Sequence, residues 1–268
     1  MILLQEQKGL EKHLVNSDLY HREEVTLITA DKNQTEAEAI LLREHELNII
    51  VNEQYVARLI CTDQYLDELV MGRLLTDGFI ESADDVYRIL FCKYKTEVSV
   101  FLNNDIRLEA AANEEKSCCT GNKILYSVKG RRPFRALSKP DFKPEWIFSM
   151  ADRFEQGTAL HDMTSCTHSC ILARRGEILF TCEDIGRHNA VDKAVGYGLR
   201  SGIPLSECIL YTSGRVPVDM VEKPVAAGIP ILASKSVPTA EAVDLAQKYG
   251  LVLIGNARHD SMKVFTFS

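Results

Sequence analysis

CILYTSGRVPVDMVEKPVAAGIPILASKSVPTAEAVDLAQKYGLVLI, residues 208–254, is the stretch on which the fold assignment turns. Three short apolar runs, Cys208 to Thr212, Ile229 to Ala233 and Leu251 to Ile254, alternate with two segments of helical spacing, Pro217 to Ala227 and Thr239 to Tyr249. Such alternation predicts a βαβαβ unit, since parallel strands cannot be joined by a tight turn and need a helical crossover. Parallel strands also fix where ligands go. The loops leaving their carboxyl ends enter helix N-termini whose first N–H groups lack intrahelical partners. Here those loops are Ser213-Gly214-Arg215, then Ser234-Lys235-Ser236 leading through Pro238 to Thr239, then Asn256-Ala257-Arg258-His259-Asp260-Ser261. Hydroxyls, bare backbone and cations recurring at equivalent strand ends make a candidate cradle for a dinucleotide-sized phosphate ligand.

Upstream, Ser165 to Ala173 and Ile178 to Cys182 read as strands joined by the hairpin turn Arg174-Arg175-Gly176. The run EDIGRHNAVDK, residues 183–193, then leads from a strand into a helix over Asn189 to Leu199. Asp184 and Asp192 are candidate acceptors for guanine or ribose hydroxyls, and Arg187 and His188 are candidate phosphate ligands. A salt-bridged capping loop accounts for the same residues. Arg131 to Glu145 is basic and contains Pro133, Pro140 and Pro144, which predicts an inter-domain linker, with Pro144 in the first turn of a helix through Trp146, Met150 and Phe154.

Before the linker, strands are expected at Val25 to Thr29, Ile40 to His45, Asn48 to Val51, Val56 to Cys61, Val86 to Tyr94 and Val98 to Leu102. Leu66, Leu69, Val70 and Leu74 recur at helical spacing after a candidate N-cap, Asp63, and before a left-handed stop at Gly78. The expected organisation is an α+β domain over residues 1–130, a linker over 131–145 and an α/β three-layer domain over 146–268 with a mixed, largely parallel sheet.

With 46% hydrophobic and 26% charged residues and a formal charge of −7, the composition is that of a soluble globular protein. The acidic balance argues against extended nucleic-acid binding. No export signal or membrane-length apolar stretch is evident, so a cytoplasmic location is expected. There the 8 cysteines would remain mostly thiols. Cys118 and Cys119 sit in a polar stretch with Lys116 and Lys123, which favour a thiolate, and Glu114 and Glu115, which oppose it. The pair suits an exposed persulfide carrier, a redox switch, or an incidental surface pair. Cys166, His168 and Cys170 alternate as on one strand face, and Cys182 would be the fourth ligand of a zinc site; packed interior side chains are the stronger reading.

EDIGRHNAVDK, Thr212-Ser213-Gly214-Arg215, Pro238-Thr239 and, in the first half, the Glu44 to Val51 region and Gly72 to Ile80 closely resemble the hallmark segments of the FdhD/NarQ family over nearly the whole chain. The resemblance implies a sulfurtransferase that takes a persulfide from a cysteine desulfurase. It would sulfurate bis(molybdopterin guanine dinucleotide), the molybdenum cofactor, before that cofactor enters the formate dehydrogenase catalytic subunit. It further implies a cytidine deaminase-like fold for the second domain, a homodimer, and a cofactor site that GDP or a similar guanine nucleotide can occupy. The family's persulfide cysteine falls on Cys118, and its carboxyl-terminal cofactor segment on Asn256 to Ser261. Many relatives carry C-x-x-C, whereas this chain has adjacent Cys118-Cys119 and Gly121 at the second position. The last loop also lacks the relatives' aromatic and Gly-rich stretch.

A zinc deaminase on such a scaffold needs H-x-E and P-C-x-x-C. His188-Asn189-Ala190 lacks the Glu, and Pro217-Val218-Asp219-Met220-Val221 lacks both cysteines, so neither deaminase activity nor a metal is expected. The other rival is a cofactor-binding escort without sulfur transfer.

Overall fold

The computed structural model describes residues 16–110, 121–129 and 133–267. β1 (Tyr20–Ile28) and β2 (Gln34–Leu42) form a separate antiparallel ribbon, longer than the sequence suggested. β3 (His45–Val51), β4 (Gln54–Cys61), β5 (Val86–Phe91), β6 (Glu97–Leu102) and β8 (Lys123–Ile124) make a sheet in the order β5-β6-β3-β4-β8, and β7 (Leu108–Ala110) pairs with β9 (Tyr126–Val128). The β3–β4 turn places Asn52 and Glu53 at φ 46° and 68°, the left-handed pair that matches the strands' twist. Leu47, Ile49 and Val51 alternate inward, opposed by Ala57 and Leu59.

Helix α1 (Leu66–Thr76) covers that sheet and ends as expected, with Gly78 at φ 80°. Its start differs. Tyr65, in the left-handed region, holds the cap position without a side-chain hydrogen bond, and Asp63 instead accepts from Lys95 at 3.4 Å.

The second sheet has the order β11-β10-β12-β13-β14-β15, built from β10 (His168–Arg174), β11 (Glu177–Asp184), β12 (Cys208–Thr212), β13 (Ile231–Ser234), β14 (Val252–Gly255) and β15 (Lys263–Thr266). The βαβαβ unit is present: β12, β13 and β14 run parallel, joined by α5 (Val218–Ala227) and α6 (Ala240–Tyr249). The expectation of a largely parallel sheet needs correction, because the β10–β11, β10–β12 and β14–β15 pairings are antiparallel. A hairpin extends one side of the sheet, and a short returning strand with exposed Lys263 and Phe265 extends the other.

Alternation along the strands sends Leu172, Leu210, Leu232 and Leu253 toward α4 (Arg187–Arg200), α5 and α6. Ile171, Ile209, Tyr211 and Ile254 face the opposite way, onto Ile147, Met150 and Ala151 of α2 (Pro144–Glu155). The result is three layers. A short helix, α3 (Ala159–Thr164), is capped by Glu183, which accepts from the N–H groups of Leu160 at 3.0 Å and His161 at 2.8 Å.

The two sheets share one apolar core. α1 lies against α4 so closely that a Cβ on Gly72 would fall 1.8 Å from the Asp192 carbonyl oxygen, and one on Gly196 would fall 1.8 Å from that of Glu68. The described part of the expected linker is strapped down: Leu137 N–H donates to the Tyr249 carbonyl at 2.8 Å, and Phe134 packs edge-on against Tyr249. Its final residues, Pro144 and Glu145, belong to α2. No helix among the described residues is long and apolar enough to cross a membrane.

Candidate functional site

The loops that follow β12, β13 and β14 reach one edge of the second sheet. β11 runs antiparallel to β10, and β10 to β12, so the end of β11 at Asp184 and the start of β10 at His168 lie level with the carboxyl end of β12. The ends of β13 and β14 continue the edge. Hydrogen bonds stitch the loops together. Ser234 Oγ donates to the Gly214 carbonyl at 2.6 Å, Lys235 N–H to the Thr212 carbonyl at 3.0 Å, Asn256 N–H to the Ser236 carbonyl at 2.8 Å and Ala257 N–H to the Ser234 carbonyl at 3.0 Å. Asn256 adopts φ 48°, which turns the last loop back toward Ser236.

Ser213 Oγ accepts from Ser169 N–H at 3.1 Å and lies 3.1 Å from His168 Nδ1. Burial, together with nearby Arg187, His161 and His188, holds the His168 imidazole below its ordinary pKa and favours the neutral ring. Arg187, buried at the first position of α4, passes over Gly214, where a Cβ would sit 3.0 Å from its side chain. Arg215 is exposed, and Lys235 is half-buried 6.0 Å from the Phe154 ring centre. Arg258 donates to the Lys235 carbonyl at 2.5 Å, and its own N–H donates to the Ser261 carbonyl at 2.8 Å. His259 contacts Glu155 at 3.1 Å, and Ser261 Oγ donates to Asp260 at 3.0 Å. The Glu155 carboxylate raises the exposed His259 pKa. The edge thus gathers four cations, several hydroxyls and helix starts, a combination suited to a polyanion. Thr239 caps α6 by accepting from Ala242 N–H at 3.3 Å, so its hydroxyl is committed to the fold.

The expected nucleotide contacts of Asp184 and Asp192 are not what the fold presents. Both carboxylates are fully buried. Asp184 meets Lys193 at 2.6 Å and accepts from Gly186 N–H at 2.9 Å, Asn189 Nδ2 at 2.9 Å and Thr62 N–H at 3.1 Å. Asp192 accepts from Lys223 Nζ at 2.8 Å through each oxygen and from Thr76 Oγ1 at 2.8 Å, with Arg73 Nη1 3.7 Å away. His188 pairs with Asp219 at 3.1 Å; burial opposes ionisation there, but His188 and Arg187 hold the Asp219 pKa below its usual value. Residues 183–193 therefore join the two sheets more than they line the edge, apart from Arg187.

The sequence assigns no such place to two contributors: His168, which it reads as a zinc ligand or, more strongly, a packed interior side chain, and the pair Asn122 and Asn189. Lys235 was legible from its place between two serines at a strand end. The asparagine contact joins positions 67 residues apart and leaves no local sequence signal. Cys118 and Cys119 lie outside the described residues. The shared strand face expected for Cys166, His168 and Cys170 does not form, since β10 begins at His168 and leaves Cys166 exposed before it.

Burial pushes the Cys182 thiol up to about 12 and the Cys208 thiol to about 11, and also raises Cys61 and Cys170. Cys92 is exposed, and its hydrogen bond with Thr96 lowers its pKa. Brief iodoacetamide treatment of the native protein should therefore modify Cys92 and Cys166 and spare these four buried thiols until denaturant is added. Peptide mass mapping reads the result, and early alkylation of Cys170 or Cys182 would contradict the packing.

A sequence profile of the FdhD/NarQ family matches residues 42–268. The chain is 34% identical over 244 residues to a protein of Streptomyces avermitilis named sulfur carrier protein FdhD, covering 84% of this chain and 86% of that one. It is 32% identical to a protein of the same name from Mycolicibacterium paratuberculosis, covering 91% of this chain and 96% of the other. A crystal structure from Desulfotalea psychrophila, described provisionally as a formate dehydrogenase accessory protein, superposes with a TM-score of 0.76 at 25% identity, over 92% of this chain and 97% of that one.

Proposed function

Since the chain belongs to the FdhD/NarQ family, we propose that it is a sulfur carrier in formate dehydrogenase maturation, moving sulfur from a cysteine desulfurase to a guanylated molybdenum cofactor. In the loading step, the thiolate of Cys118 or Cys119 attacks the outer sulfur of the donor's persulfide. A new S–S bond forms, the donor's S–S bond breaks, and the donor cysteine leaves as thiolate. The client, bis(molybdopterin guanine dinucleotide), is substrate, and GDP would occupy part of the same site.

The observation that carries this reading is the convergence of strand-end loops on one cationic edge, with Asn122, four residues after Cys118, bonded to the helix that begins at Arg187. Arg187, Arg215, Lys235 and Arg258 would meet pyrophosphate oxygens, and Ser213 and Ser236 would add hydroxyl contacts. Asn122 is bonded to Asn189 in the first turn of α4 at 3.0 Å. Four peptide units span at most about 14 Å, so Cys118 is tethered within that distance of Asn122. The reading includes a cytidine deaminase-like origin for the three-layer unit, a homodimer, and action in the cytoplasm, where the carrier thiol stays reduced.

After incubation with a cysteine desulfurase and cysteine, intact-mass spectrometry should show a reductant-labile adduct of one sulfur atom that is absent from Cys118→Ala. That variant should still bind GDP yet leave formate dehydrogenase inactive. No adduct on either cysteine with an active donor, or full activation by the Cys118→Ala, Cys119→Ala double variant, would replace the carrier with a cofactor escort.

A further inference from the structure

Resting on the sulfur-carrier reading, we propose that Asn122 is a positioning residue that fixes where the cysteine-bearing segment leaves the fold. β8 pairs with β4 only through Ala57 with Ile124 and Arg58 with Lys123. One ladder step further on, side chains take over. Asn122 Oδ1 accepts from Ile60 N–H at 2.8 Å, and Asn122 Nδ2 donates to Asn189 Oδ1 at 3.0 Å. Asn189 Nδ2 in turn donates to the Ile60 carbonyl at 2.8 Å and to Asp184 at 2.9 Å. Both backbone groups of Ile60 are satisfied by two amide side chains in a closed ring, and Asn122 is only 3% exposed.

A continued β8 would satisfy Ile60 with ordinary ladder bonds and keep the chain running along β4. Burying two amides costs desolvation that only a complete set of partners offsets. What this arrangement supplies instead is a departure point. Gly121, at φ 76° with no described atom within 4 Å of its Cβ position, is the described residue nearest in the chain to Cys119 and Cys118. Asn189 lies two residues beyond Arg187, so the departure point is locked to the helix start whose Arg187 side chain passes over Gly214. The clasp thereby fixes the cysteines' attachment relative to the cationic edge, whereas access of an external donor to those thiols does not depend on it.

Asn122→Ala should therefore separate the two half-reactions. Persulfide loading from the desulfurase should stay at the wild-type rate, while formate dehydrogenase activation by preloaded carrier falls by about tenfold to hundredfold, the scale expected for misplacement of a reacting group. Distances between nitroxide labels on Cys118 and on Val237→Cys, with Cys92, Cys119 and Cys166 replaced by serine, should broaden when Asn122→Ala is added. Equal loss of loading and delivery, as a general weakening of the fold would give, overturns the proposal. So does an unchanged distance distribution. If the unsubstituted carrier itself neither loads nor delivers sulfur, the carrier reading has failed, and the distance measurement still decides the positioning of the segment.

Discussion

Gly72→Ala and Gly196→Ala are each expected to destabilise the protein by about 3 kcal/mol or more and to sharply reduce the yield of soluble chain. At both positions the added methyl meets backbone rather than a movable side chain: Asp192 oxygen at 1.8 Å and Gly196 nitrogen at 2.8 Å in the first, Glu68 oxygen at 1.8 Å and Gly72 nitrogen at 2.7 Å in the second. Neither helix can yield locally, so α1 and α4 would have to separate along their length, loosening the core that joins the two sheets. Gly202→Ala is the control. That residue has nothing within 4 Å of its Cβ position and sits at φ 65°, so only the left-handed strain of about 1 kcal/mol applies. Urea unfolding of the three variants measures the difference, and a Gly72→Ala loss no larger than that of Gly202→Ala would mean the helices are not in backbone contact.

The second large effect is expected at Asp192. Burial pushes its carboxyl up from the ordinary range, against the pull of Lys223 and Arg73. Asp192→Asn removes the anion on which buried Lys223 depends, and should cost about 3–5 kcal/mol, the usual consequence of leaving a charge unmatched in the interior. Lys223→Met should cost less, because Asp192 keeps Arg73 and Thr76 and can take up a proton. A carboxyl whose folded pKa lies above its unfolded value favours the fold most below the unfolded pKa, and that contribution is lost as pH rises through the folded pKa. The stability deficit of Lys223→Met relative to wild type should accordingly shrink as pH falls from 7 toward 5, while that of Asp192→Asn should not. Denaturant midpoints at several pH values test the contrast, and parallel behaviour of the two variants would refute it.

The parallel centre of the second sheet was legible because β12, α5, β13, α6 and β14 each carry an unbroken local pattern, ended by Gly228 and Gly250 at helix termini. β15 was not legible, since Lys-Val-Phe-Thr alternates over only four residues and leans on β14 for its definition. β7, β8 and β9 are shorter still and exist through pairing, which propensity does not encode. At the site, the loops at strand ends could be read from polarity and position, as with Ser213 and Ser236. Within residues 183–193, Asp184 and Asp192 are committed to buried lysines instead of being open to a ligand. Carboxylates that would suit guanine are equally suited to lysine, and Thr62, Thr76 and Lys223, which claim them, lie more than 30 residues away along the chain.

The contact of α1 with α4 also has a timetable. Thr76 and its partner Asp192 are 116 residues apart, so during synthesis at roughly 5–20 residues per second the helix covering the first sheet waits about 6–23 s for the surface that completes it. Throughout that interval the bare backbone of Gly72 and the Thr76 hydroxyl face the ribosome's surroundings instead of α4. Slow codons or a stall between the two halves would therefore expose the unfinished helix surface for longer than a stall after Arg200.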